Sequence, residues 1–167
     1  MLQRGAPLGF QSLVSPAAAT GLTLPYGAQQ AEGTSCNLSG NVLTVGGTVT
    51  GKFAVGQTVV ATGIPINTTI LQAGVPPNTW LLSNPCTTET GEAVIAYATL
   101  NANFAIMRVT GGGVNWRDDG VAPTSTVGMP MNTTDPPFEY MGSLAGIQFI
   151  EQSGAASVEV AFYSLSG

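Results

Sequence analysis

No histidine occurs in the 167 residues, and charged side chains make up only 8% of the chain. A typical soluble domain carries roughly 25% charged residues. Without imidazole, nucleophilic catalysis lacks its usual base and zinc its usual nitrogen ligand. Cations are the scarcer sign: Arg4, Lys52, Arg108 and Arg117 stand against nine acidic residues, for a net charge of −5. Four scattered cations do not make the basic stripe that nucleic acid requires. The acidic balance also disfavours anionic lipid, and no apolar run approaches the roughly 18 residues of a membrane-spanning helix. The chain therefore reads as a structural or binding protein and not an enzyme, with no nucleic acid, membrane, cofactor or metal expected.

What remains is 44% hydrophobic residues, 22 Gly and 11 Pro, set among Thr, Ser and Asn. Such a surface suits a subunit partly covered by its neighbours in an assembly. Few windows can hold a helix through so much Gly and Pro, and short β-branched and aromatic runs bounded by turn residues recur instead. The spacing predicts strands at 21–24, 42–49, 57–61, 68–72, 80–83, 93–99, 104–110, 114–117, 138–141, 147–151 and 157–163. Many short strands of this kind point to an all-β fold, a β-sandwich or jelly-roll-like host domain. The clearest alternation is Ile147, Phe149, Glu151 followed by Val158, Val160, Phe162, read as a hairpin with its turn at Gln152-Ser-Gly-Ala.

Residues 33–92 are richer in Thr, Gly and Val, hold both cysteines and carry successive turn signals, among them Gly63-Ile-Pro65 and Pro76-Pro77-Asn78. They are expected to form a small β-barrel or sandwich module inserted into a host made of 19–32 and 93–167. Residues 1–18 faintly resemble a signal peptide, but Pro7, Gly9, Gln11 and Ser12 interrupt the apolar region such a leader needs. They are read as an arm reaching a partner through Leu8, Phe10 and Leu13.

Other signals admit plain alternatives. Gly46-Gly-Thr-Val-Thr-Gly51-Lys52 follows a phosphate loop for seven positions, but Phe53 stands where a magnesium-binding hydroxyl is needed. Asp118-Asp119-Gly120 reads as a polar turn before it reads as a calcium or acid–base site. Cys36 and Cys86, 50 positions apart, either close a disulfide worth about 4 kcal/mol in the chain-entropy model or remain two apolar thiols. Trp116 beside Arg117 is the candidate interface pair, since both types are enriched at binding hot spots. Trp80 is expected to cover the module's core.

Two stretches resemble known families. Ser39-Gly-Asn-Val-Leu-Thr-Val, Val55-Gly-Gln-Thr-Val-Val-Ala-Thr-Gly-Ile-Pro-Ile-Asn-Thr-Thr-Ile and Trp80-Leu-Leu-Ser resemble a β module common in bacteriophage tail and fibre proteins. The chain departs from that pattern at Ala61 and Asn67, and Asn is the most tolerable replacement where glycine serves a positive φ. Gly113-Val-Asn-Trp116-Arg-Asp-Asp-Gly120, continuing through Gly128-Met-Pro to Phe138-Glu-Tyr140 and Ile147–Glu151, resembles small virion structural proteins of phages. The resemblance implies a particle-exterior subunit made in the bacterial cytoplasm, most simply a capsid decoration or cement protein. Its partners would be the major capsid protein and sister subunits, in a homo-oligomer such as a trimer. The alternative it implies is a tail or fibre-associated adhesin contacting host-surface glycans.

Overall fold

The computed structural model describes residues 5–165. Among these the chain forms thirteen strands and no helix. In order they are β1 (Ala6–Val14), β2 (Thr20–Gly21), β3 (Tyr26–Thr44), β4 (Val49–Gly51), β5 (Thr58–Val60), β6 (Ile70–Ala73) and β7 (Thr79–Thr99). After these come β8 (Phe104–Thr110), β9 (Val114–Arg117), β10 (Met129–Met131), β11 (Phe138–Tyr140), β12 (Gln148–Glu151) and β13 (Ser157–Ser164). They divide into two compact units, one built from the residues up to Pro25 with those from Leu100 on, the other from Tyr26–Thr99.

The first unit is a β-sandwich of two four-stranded sheets, ordered β1-β13-β8-β11 and β10-β9-β12-β2. Counted within the unit, its first strand pairs with its eighth, its second with its seventh, its third with its sixth and its fourth with its fifth. That nesting is a long hairpin rolled on itself, the jelly-roll arrangement. Rolling adds the β13–β8 and β12–β9 ladders, which complete each sheet. Alternation drives it: Val158, Val160 and Phe162 on β13 and Ala105, Met107 and Val109 on β8 all point inward and are buried. They meet Val114 and Trp116 of β9 and Phe149 of β12 from the opposite sheet in one apolar cluster. Each large side chain buried in this way contributes about 1.5–3 kcal/mol.

Two expectations are corrected here. The terminal hairpin does not form, because β12 lies in one sheet and β13 in the other. Alternation tells a strand which face to bury, and two facing sheets satisfy it from opposite sides; the link at 152–156 crosses the gap of about 10 Å between sheets. Nor are residues 6–14 a free arm. They pair with β13 from Ala6↔Ser164 to Val14↔Ser157, with a bulge between Pro7 and Gly9. That bulge and the edge position accommodate the proline and glycine, which disfavour a regular central strand.

The second unit is organised around two long strands. β3 and β7 pair from Tyr26↔Thr99 to Thr44↔Thr79, interrupted by repeated register shifts. Bulges increase local twist and bend the strand, so the ribbon coils and its concave side is covered. β5 pairs β7 near Tyr97 and β6 pairs it near Leu81, while Thr58 and Thr69 bridge the two short strands. Leu38, Leu43, Phe53, Val59, Ile70, Leu82 and Val94 fill the core. The ladder runs past the expected edges at 33 and 92, which places the boundaries of this unit at 26 and 99. Asn67 has φ 59°, in the left-handed region that asparagine tolerates better than most residues.

Candidate interaction surface

The sequence-nominated residues fall in different environments. Leu13 is buried in the sandwich core, with Leu8 half-buried against it. Trp116 is 7% exposed and stacks near Phe138 (ring centroids 5.2 Å) and edge-on to Tyr140 (6.0 Å). It is core, not interface, because Val114 and Trp116 share the inward parity of β9 and need the same cover. Arg117 is part-exposed and held by a two-point contact to Asp119, whose carboxyl is drawn down to about 2 by that hydrogen bond. Of this group only Phe10, 67% exposed, presents an apolar side chain to solvent.

The Asp118-Asp119-Gly120 segment behaves as a turn. Asp119 also accepts the Val121 N–H at 3.2 Å, and Gly120 has φ 80°. Asp118 accepts the Tyr140 hydroxyl at 2.8 Å. Burial and the adjacent Asp118 push the Tyr140 hydroxyl up to about 12. Both carboxylates are thus committed to fixing the loop after β9. Lys52 follows the end of β4, with no helix after it to receive a phosphate. Among the described residues no group of three His, Cys, Asp or Glu side chains is placed to hold a metal.

The cysteines remain separate thiols. Cys36 lies opposite Glu92 and Cys86 opposite Gly40, so the two sit four residues apart along one ladder. At about 3.3 Å per residue that offset is about 13 Å, well beyond the Cα separation of about 7 Å a disulfide tolerates. Cys36 is wholly buried and points its thiol at the Gly33 carbonyl, 3.5 Å away. Cys86 is half-buried, and burial raises its thiol pKa.

The surface that does gather interaction chemistry is the outer face of the β1-β13-β8-β11 sheet. Its residues are those whose neighbours point inward. Reading across the two central strands, Tyr163 stands opposite Phe104, Ala161 opposite Ile106, Glu159 opposite Arg108 and Ser157 opposite Thr110. Phe10 extends the Ala161 row onto β1 and Glu139 extends the Ile106 row onto β11. The Phe104 and Tyr163 rings lie 5.8 Å apart. On the two central strands one end is therefore aromatic and aliphatic and the other hydroxylic and charged, with the exposed Val14 of β1 beside Ser157 at that second end. Sequence reading nominated Phe10 alone. The remaining residues occupy predicted strands, but their grouping depends on which strands become neighbours.

The second unit carries a groove of about 440 Å³ among Val42, Val75, Pro76, Trp80 and Leu81. Trp80 is half-buried there and packs against the unit's core, as expected of it. No protein-family model, curated protein or solved structure matches the chain.

Proposed function

We propose that the chain is a structural subunit of a bacteriophage particle, a capsid decoration or cement protein acting by subunit–subunit packing. The observation that carries this reading is the apolar outer sheet face of a chain with so few charges. Jelly rolls recur in viral capsids, an analogy of fold that fits the reading without assigning it. Small virion proteins are also what the 113–151 segment resembles. In this account the sandwich binds sister subunits and the major capsid protein on the particle exterior, after synthesis in the bacterial cytoplasm.

One feature favours a tail or fibre-associated adhesin instead: the groove lined by the half-buried Trp80, since the part of an indole left open in a groove can stack on a sugar ring. Gel densitometry of purified particles separates the two. A ratio to the major shell protein near one or one-third supports decoration. A ratio of a few hundredths moves the subunit to the tail, and absence from particles overturns both readings.

A further inference from the structure

We infer that the outer face of the β1-β13-β8-β11 sheet is the contact through which two copies of this chain pair about a two-fold axis. The inference rests on the assembly reading above and specifies one of its contacts, a two-fold pair in place of a trimer.

The argument is the row pattern. Place a two-fold axis along the strands, between β8 and β13, in the plane separating two stacked sheets. Each β8 residue then faces its own cross-strand neighbour from the other copy. The observed rows become Phe104 on Tyr163, Ile106 on Ala161, Arg108 on Glu159 and Thr110 on Ser157. Across the two central strands aromatic meets aromatic, aliphatic meets aliphatic, cation meets anion and hydroxyl meets hydroxyl. At the flanks Phe10 of β1 meets the partner's Glu139, so the complementarity lies at the centre of the face. A symmetric contact needs this self-complementarity, because every residue must suit both its own position and its image. Displacing the axis by half the strand spacing, onto β8, sets β8 on its own image, with Arg108 facing Arg108.

The charges are available for such a contact. Arg108 is exposed and, among the described residues, makes no ion pair or hydrogen bond within its own chain. Glu159 is already oriented by the Ser12 hydroxyl, which donates to it at 2.8 Å. The two therefore stand as neighbours without engaging each other, each with charge to offer across the axis. Four strands about 4.8 Å apart along the length of β8 bound the footprint at about 19 by 23 Å, and β11, with only three residues, fills little of its own edge. Two such faces amount to at most about 900 Å², the size of weak, transient contacts rather than of a standard interface, so the pairing is expected to be weak.

Sedimentation velocity on the purified full chain tests the pairing, over a concentration series and beside circular dichroism of each variant. The wild type is expected to sediment at twice the 17.0 kDa chain mass. Ile106→Asp is expected to weaken pairing at least about 100-fold, as a charge placed at the buried centre of an interface does. Arg108→Glu should weaken it about 10-fold, and R108E/E159R should restore it to within about threefold, because the swap recreates both cross-axis pairs. Both of these positions lie on the outer face, so the swap remains informative if Ile106→Asp does not fold. A wild-type monomer at 100 μM, a trimer, or a double variant no better than Arg108→Glu would overturn the inference. A monomer abundant on particles overturns the pairing and leaves the particle reading standing; a dimer absent from particles does the reverse.

Discussion

The two units solve the same problem, covering an apolar sheet face, by opposite means. The sandwich uses short strands with clean alternation, such as Val158, Val160 and Phe162, and lets two sheets cover each other. The 26–99 unit uses one long ribbon whose faces are mostly polar, and bends it by repeated bulges until short strands close over it. The first needs many strands to find the correct sheet. The second needs a single pairing, β3 with β7, and its remaining contacts are comparatively local. Any change that removes a strand should thus weigh more heavily on the sandwich, while changes inside the ribbon should be felt through its core.

The largest expected effect follows from β1. Deleting residues 1–18 removes an edge strand with the buried Leu13 and uncovers one side of β13. The cooperative thermal transition should be lost, or lowered by several kcal/mol, as judged by near-ultraviolet circular dichroism and calorimetry. Replacing 26–99 with Asn-Gly sharpens the contrast. Tyr26 and Thr99 are cross-strand partners, so the ends of that unit lie close together and a two-residue turn bridges them. A sandwich that still melts cooperatively would show that its eight strands suffice.

Core truncations come next. Phe149→Ala or Phe162→Ala in the sandwich should cost about 3–5 kcal/mol, and Leu82→Ala in the ribbon about 2–5 kcal/mol, measured by urea titration. All three side chains are at most 1% exposed. The cysteines offer a smaller test within the ribbon. Cys36→Ser, which buries a hydroxyl, should cost about 1–3 kcal/mol, and Cys86→Ser should cost less because Cys86 is only half-buried. Oxidation should leave both thiols titratable after unfolding, without an intramolecular bond.

The smallest effect concerns the loop after β9. Tyr140→Phe removes a hydrogen bond to an exposed carboxylate, for a loss of about 0.5–1.5 kcal/mol. The hydroxyl pKa is raised on folding, so its contribution is complete below pH 10 and is lost as pH climbs toward 12. Asp119 runs the other way: its depressed carboxyl supports the loop above pH 3.8 and releases it as pH falls toward 2. Alkaline spectrophotometric titration of tyrosine and acid-range proteolysis of residues 118–128 would read the two limits. A Tyr140 that titrates near 10 would break the first assignment.

Several strands were legible from residues alone. The predicted 104–110 and 114–117 segments coincide with β8 and β9, and 157–163 ends one residue short of β13. In β8 and most of β13 buried and more exposed side chains alternate, and β9, buried at Val114, Asn115 and Trp116, carries the β-branched and aromatic residues of a strand. The polar half of β3, from Tyr26 to Gly40, was not legible, because its ladder is held by backbone hydrogen bonds to β7 rather than by an apolar period. β1 was hidden by Pro7 and Gly9, and β10, Met-Pro-Met, by its proline. Trp116 illustrates the same boundary at the level of function. A tryptophan beside an arginine suggests an interface, yet the inward parity of β9 places the indole in the core and leaves only Arg117 outside.

The amino-acid sequence by itself determined the all-β class and the inward face of each alternating strand. Those follow from side-chain period and local sterics, which act within a few residues. Tertiary structure alone decided which sheet each strand entered, that residues 6–14 became an edge strand, and that the cysteines stayed apart. It also decided that Arg108 and Glu159 face outward side by side. These outcomes rest on pairings across tens of residues, where the free energy of a strand depends on its neighbours more than on its own composition.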